Sequence, residues 1–173
     1  MRRPLCIVAV CLCAASAAGA AELPARKAGQ WEITMEFQGH HLPARSMRQC
    51  IDQATDRIMN KIGGEGACAK RSMSKVGDTM VVDSVCTFHG ATTTSRAVVT
   101  GSFDSAYTVD VTSTRAGGPP IPGMAPGGGM HMKIAAKWLG PCPAGERPGD
   151  MVIGNGMKIN VLDMQRMHRM PAQ

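Results

Sequence analysis

Seven cysteines carry the most reactive side chains in this sequence, and they fall into two groups. Three of them stand close together near the N-terminus, at positions 6, 11 and 13. The other four are spread along the chain: Cys50, Cys68, Cys86 and Cys142. None of these four stands in a C-x-x-C spacing, which argues against a zinc site. An even number of cysteines in an exported chain indicates disulfides instead.

The first residues predict export. Arg2 and Arg3 form a basic start, and Leu5–Ala15 is an apolar run that is too short to span a bilayer as a helix. Residues 18–20 then give the A-x-A pattern of a cleavage site. We therefore expect a signal peptide over residues 1–20 and a periplasmic or secreted protein. No later apolar run has the length of a transmembrane segment.

The remaining charge is modest. Without the two leader arginines, 17 Lys and Arg against 13 Asp and Glu leave a net charge of +4. Aromatic residues make up 3% of the chain, so the stacking residues of a nucleic-acid surface are scarce. We expect a single domain that does not bind nucleic acid and whose core uses Val, Ile, Met and Ala.

Cys68 and Cys86 frame a predicted β-hairpin. Two strand-like runs flank Val76-Gly77-Asp78, where Gly-Asp is a typical turn dipeptide. A three-residue loop sets Cys68 directly opposite Cys86. A two-residue turn would shift the pairing by one and send the sulfurs to opposite faces, so the bridge needs the longer loop or a bulge. If these two pair, Cys50 and Cys142 form the second disulfide.

The three-residue loop also fixes other cross-strand neighbours. It sets Arg71 opposite Asp83, as an ion pair, and Met73 opposite Val81, as an apolar pair.

Strict alternation of apolar and polar residues predicts a strand over Gln30–Phe37, with Trp31 on its apolar side. Further predicted strands cover 44–50, 92–101, 106–112 and 130–139. Helical spacing predicts a short helix over Asp52–Ile62, capped by Asp52 and stopped by Gly63-Gly64.

The rest of the chain is less regular. Residues 117–129 are rich in Gly and Pro and predict a mobile loop. The segment after residue 143 is turn-rich, with a short helix near 162–170. The sequence thus predicts a mainly β fold: an antiparallel meander, curled or barrel-like, with one short helix and two disulfides. Residues 21–143 form the disulfide-bonded domain, and residues 144–173 form a Met-rich C-terminal extension packed on it or trailing from it.

Four short motifs, in this order, resemble the exported bacterial family named domain of unknown function 3617. They are Gly29–Thr34, Gln49-Cys50-Ile51, the Cys68 and Cys86 pair, and Trp138–Cys142. The resemblance implies a small β-rich secreted or periplasmic protein of Gram-negative bacteria. It carries over no catalytic residue.

Methionines and histidines toward the C-terminus suggest a different chemistry. Thioethers select Cu(I), so these side chains are a candidate copper site in an oxidising compartment. The candidate ligands are Met130, His131, Met132, Met164, Met167, His168 and Met170. The competing explanation is packing, because methionine commonly fills irregular cores. We favour packing and expect no cofactor, with copper as the alternative.

No enzyme motif is present, and we expect a protein without catalytic residues. The prediction is a small binding or envelope-associated module, because a curled sheet can enclose a small apolar ligand. The alternative is an unrecognised hydrolase that uses carboxylates such as Glu32, Glu36 and Asp110, if a pair of them lies close together.

Overall fold

The computed structural model describes residues 23–38, 43–62, 68–88, 90–119 and 128–169. The predicted signal peptide, the Gly63-Gly64 helix stop and most of the predicted mobile loop lie outside these residues.

Within these residues, nine strands form one open antiparallel sheet in the order β3-β4-β5-β6-β7-β1-β2-β8-β9. The strands are β1 Gly29–Gln38, β2 Arg45–Ile51, β3 Cys68–Val76, β4 Thr79–Phe88, β5 Ala91–Ser102, β6 Ala106–Gly117, β7 Gly129–Gly140, β8 Asp150–Ile153 and β9 Lys158–Asn160. The helices are α1 Gln53–Ile62 and α2 Val161–Arg169. The predicted mainly β fold is confirmed. The described residues contain two short helices where the prediction counted one.

The alternation in β1 gives the sheet two different faces. Trp31 and Ile33 point to one side and are buried, whereas Glu32 points to the other side and is exposed. The strand pairings extend these two sides across the sheet. We call the side that carries Trp31 the apolar face and the side that carries Glu32 the polar face. The core cluster on the apolar face contains Trp31, Ile33, Ile51 and Ala136, with partly buried Met35, Met47, Met59, Tyr107, Ile134 and Trp138 packed against it.

The central hairpin forms, but its loop is shorter than predicted. Val76 pairs with Thr79 across a two-residue turn, in which Gly77 has a φ of +61°. Such turns follow the twist of the flanking strands. A register shift between Cys68 and Lys70 then restores the pairing of Cys68 with Cys86. Because of this bulge, the two-residue turn is compatible with the Cys68–Cys86 disulfide, and no longer loop is needed.

The two-residue turn changes the cross-strand partners between the turn and the bulge. Arg71 lies opposite Ser84 rather than Asp83, so that predicted ion pair was wrong. Met73 lies opposite Val82 rather than Val81. The bulge sits on β3, which is an edge strand of the sheet, where bulges are common.

Asp52 caps α1 as predicted. Its carboxylate accepts hydrogen bonds from the Thr55 N–H (2.8 Å) and the Thr55 hydroxyl (2.7 Å), and the Thr55 hydroxyl accepts one from the Asp52 N–H (2.9 Å). These bonds lower the pKa of Asp52, the Thr55 backbone N–H most of all. The cap fixes the start of a helix that has to cover the apolar face.

The segment after β7 extends the other edge of the sheet. β8 pairs with β2, and β9 pairs with β8. Asp150 anchors this region, because it accepts hydrogen bonds from the Arg147 N–H (3.0 Å) and the Asn160 amide (2.7 Å). Neither short strand was predicted. The helix predicted near residues 162–170 is present as α2.

Candidate functional site

A cavity of about 260 Å³ lies on the apolar face, between the sheet and the segments that cover it. Its floor is made by four small apolar side chains: Val82, Ala97, Val99 and Val109. Leu23, Pro24 and Asn60 cover it from the N-terminal lead-in and from α1. Its walls are completed by Cys68, Cys86 and Phe103, and by four polar residues, Arg26, Arg71, Ser84 and Tyr107. Small apolar cavities with few polar groups are typical of ligand sites.

The register of the strands builds the floor. Val82 lies opposite Ala97, and Val99 lies opposite Val109. β-branched side chains favour strands and pack well on a pleated surface. The shortness of these side chains, compared with Trp31 and its neighbours in the core, leaves open volume above β4, β5 and β6.

A buried ion pair holds the cover in place. Arg26 donates to Asp56 through its backbone N–H (2.9 Å) and its Nε (2.7 Å). It also donates from its guanidinium to the side-chain oxygen of Gln49 (3.0 Å). The side chains of Arg26 and Asp56 are 6% and 0% exposed. This network attaches the lead-in to α1 and to β2 at the same time.

Tyr107 stands at one end of the cavity. Its ring stacks on Phe103, with centroids 4.7 Å apart, and contacts Trp31 at 5.7 Å. Burial raises the pKa of Tyr107, and the nearby Arg26 charge only partly opposes this. The phenol therefore stays neutral at physiological pH, as a hydrogen-bond donor without charge.

Both predicted disulfides are formed. Cys68–Cys86 lies in the wall of the cavity and ties the edge strand β3 to β4. Cys50–Cys142 lies elsewhere and joins β2 to the residues that follow β7. Cys50 is fully buried, and its backbone oxygen accepts a hydrogen bond from the Gly149 N–H (2.8 Å).

A larger depression of about 790 Å³ lies on the polar face. It is a wide, open groove over β3 to β6, lined by polar residues such as Ser72, Thr94 and Thr112. An exposed ion pair between Arg96 and Asp83 (3.0 Å) lies along it. The smaller cavity is more enclosed and is the better candidate for a ligand site.

The copper candidates are distributed over distant elements. Met130 and Met132 point to the apolar face, whereas His131 between them points to the polar face, 4.0 Å from Asp110. Met164 and Met167 belong to α2, which follows β9 at the far edge of the sheet. The side chain of His168 and all of Met170 lie outside the described residues. The alternation in β7 separates His131 from its neighbouring thioethers, and copper binding by these residues stays a hypothesis.

Of the carboxylates in the hydrolase alternative, Glu36 and Asp110 lie on either side of Lys133, whereas Glu32 and Glu36 do not form a close pair. Glu32 and Glu36 lie four residues apart on β1, which separates their Cα atoms by roughly 13 Å. Catalytic carboxyl groups of glycosidases are about 5–9.5 Å apart. Glu32 lies opposite Arg48 and Lys137, which suits a solvated strand face.

Arg26, Asp56 and Tyr107 were not predicted as site residues. The sequence does indicate that Asp56 is buried, because it shares a helix face with the capping Asp52 and with Met59, which packs on the core. A carboxylate at that position needs a buried partner. Nothing local to Arg26 shows that it is this partner.

The fold and the cavity define a small disulfide-bonded protein with an open antiparallel sheet whose apolar face carries a covered pocket. A family profile described as Protein of unknown function (DUF3617) matches residues 26–142, and the chain belongs to this family. Comparison with curated proteins and with solved structures gave no match.

Two further findings concern the described residues alone. They contain no helix that is both long and apolar enough to cross a membrane. They also contain no group of three or more His, Cys, Asp or Glu placed to hold a metal ion.

Proposed function

We propose that this protein is a non-enzymatic binding module of the periplasm or the extracellular space, and that it holds a small apolar molecule in the cavity over β4, β5 and β6. The observation that carries the proposal is the cavity itself, which has an apolar floor and a cover attached by a buried ion pair. Its volume lies just below the range of about 300–1,000 Å³ that is usual for drug-sized ligands. The proposed ligand is therefore small.

The two disulfides support the compartment. Disulfides persist in oxidising environments and are rare in the cytosol. Cys50–Cys142 and Cys68–Cys86 together use all four cysteines of the described residues.

The test is to identify what co-purifies with the protein. Protein extracted from the periplasm of its own host is analysed by native mass spectrometry, with metal analysis in parallel. We expect one small organic molecule per chain. Copper in place of an organic molecule would instead support the Met and His hypothesis, and an empty protein in the cytosol would contradict the proposal.

A matched pair of variants localises the ligand. Ala97→Phe places a ring into the floor of the cavity, whereas Thr94→Phe adds the same ring to the polar face of the same strand. We expect Ala97→Phe to remove the co-purifying molecule and Thr94→Phe to retain it. Loss in both variants, or in neither, would show that the ligand does not occupy this cavity.

A further inference from the structure

The cavity has polar groups at two opposite ends. The lining of the cavity extends from β3 to β6, which is three strand spacings or roughly 14 Å. Tyr107 and Arg26 stand at the β6 end. Arg71 and Ser84 stand at the β3 end, directly opposite each other across the hairpin. A ligand that fills the cavity is therefore elongated, with an apolar body.

The two arginines differ in how their charges are balanced. Arg26 is buried and neutralised by Asp56 at 2.7 Å. Arg71 has no carboxylate among the described residues that line the cavity. Asp83 lies on the polar face, where it binds Arg96. Within the described lining, the β3 end therefore carries an unbalanced positive charge.

Ser84 adds a hydrogen-bond donor at the same end. Its hydroxyl lies 2.8 Å from the hydroxyl of Ser95. Either hydroxyl can be the donor of this hydrogen bond, and when Ser95 donates to Ser84, the Ser84 O–H remains able to donate to a ligand. A guanidinium and a hydroxyl together form a suitable pair of donors for a carboxylate.

We propose that the ligand is a single-chain anionic amphiphile, such as a short fatty acid, whose carboxylate lies between Arg71 and Ser84 and whose tail runs over Val82 and Val99 toward Tyr107. This inference rests on the function proposed above, because it specifies the ligand of the same cavity. The volume of about 260 Å³ accommodates one short chain.

Three probes that share a tail but differ in charge test the inference. They are dodecanoate, dodecanol and dodecyltrimethylammonium. The two charged probes are titrated into the disulfide-bonded protein below their micelle concentrations, and dodecanol is titrated below its solubility limit. Because Arg71 is exposed, water weakens its attraction, and we expect dodecanoate to bind about tenfold more tightly than dodecanol. The cationic probe should bind most weakly, and added salt should reduce the preference for dodecanoate.

Variants of β3 identify the responsible charge. Arg71→Gln should bring the affinity for dodecanoate down to that for dodecanol and leave dodecanol binding unchanged. Lys70→Gln removes an equal charge from the adjacent position on the polar face, and we expect it to keep the preference. Circular dichroism confirms that both variants are folded.

The outcomes separate the two proposals. If all three probes bind with equal affinity, the inferred carboxylate is wrong while the apolar cavity remains a binding site. If dodecanoate is preferred but Lys70→Gln abolishes the preference as Arg71→Gln does, the charge acts at long range and the assigned contact is wrong. If no probe binds, the function proposed for the cavity fails as well.

Discussion

Arg26 and Asp56 are thirty residues apart in the chain, yet the Nε of Arg26 lies 2.7 Å from a carboxylate oxygen of Asp56 in the interior of the protein. The same carboxylate accepts the backbone N–H of Arg26, so the lead-in is bound through both its main chain and its side chain. Because the pair fixes the cover of the cavity against the sheet, its loss has consequences for both stability and binding.

Replacement of Asp56 by alanine should destabilise the protein by about 3–5 kcal/mol, because it leaves the Arg26 charge buried without its partner. Urea unfolding measures the change. Asp163→Ala is the matched control, since Asp163 pairs with Arg147 at the surface and its loss should cost less than about 1 kcal/mol. A cost for Asp56→Ala as small as that for Asp163→Ala would contradict the buried pair.

Replacing both partners tests the same pair in another way. The double variant Arg26→Met, Asp56→Leu should be more stable than Asp56→Leu alone, since no unpaired charge remains buried. We expect unfolding experiments to show a favourable coupling energy above about 1 kcal/mol. Strict additivity of the two single changes would show that the residues do not interact.

The two disulfides should differ in their effect on binding. In the chain-entropy model, the separation of 92 residues between Cys50 and Cys142 gives about 4.5 kcal/mol, and the separation of 18 between Cys68 and Cys86 gives about 3 kcal/mol. Paired Cys→Ala variants measured by thermal unfolding should follow this order. Only the loss of Cys68–Cys86 should also weaken probe binding in the folded state, because this bridge lines the cavity.

Asp150 should make stability depend on pH in the acid range. Its burial by itself would raise its pKa, but the Arg147 N–H, the Asn160 amide and Lys158 together lower it below the ordinary 3.8. A lowered pKa in the folded state gives stability that is present above pH 3.8 and is lost as the pH falls through the folded pKa. Asp150→Asn should therefore flatten the acid limb of a stability profile measured by urea unfolding. An acid limb identical to that of the unaltered protein would contradict this role.

Tyr107 should act at the other end of the pH range. It is the one tyrosine of the chain, so phenolate absorbance reports on it alone. Its raised pKa means that its contribution to stability is present below pH 10.0 and is lost as the pH rises through the folded pKa. Spectroscopic titration of the folded protein should give a midpoint above 10.0, and one at or below 10.0 would show that the phenol is not buried. Tyr107→Phe should weaken the alkaline loss of stability.

Much of the sheet could be predicted because its pattern is local. The alternation around Trp31 and Ile33 shows directly in the sequence, and the structure contains that strand as β1. The register of the hairpin could not be predicted in the same way. The pairing of Cys68 with Cys86 needs one additional residue, either in the turn or in a bulge beside Cys68. Which of the two forms depends on the twist of the β3–β4 hairpin as a whole, and no single residue determines that twist.

The cavity was harder to predict for a related reason. Val82, Val99 and Val109 are each ordinary strand residues, and their shared face becomes a floor only when β4, β5 and β6 are paired in register. The contact between Arg26 and Asp56 depends on how the lead-in folds over α1. The short strands β8 and β9, with four and three residues, carry too little alternation to stand out among turn residues.

Methyl NMR of the folded protein during titration with dodecanol tests the central claim most directly, because this probe depends on the apolar cavity alone. Val98 and Val99 are adjacent on β5 but point to opposite faces, so they form an internal control. We predict saturable shifts for the methyl groups of Val99 and Val109, with those of Val98 unchanged. Shifts at Val98 that equal those at Val99, or no saturable shift at either, would contradict a binding site on the apolar face.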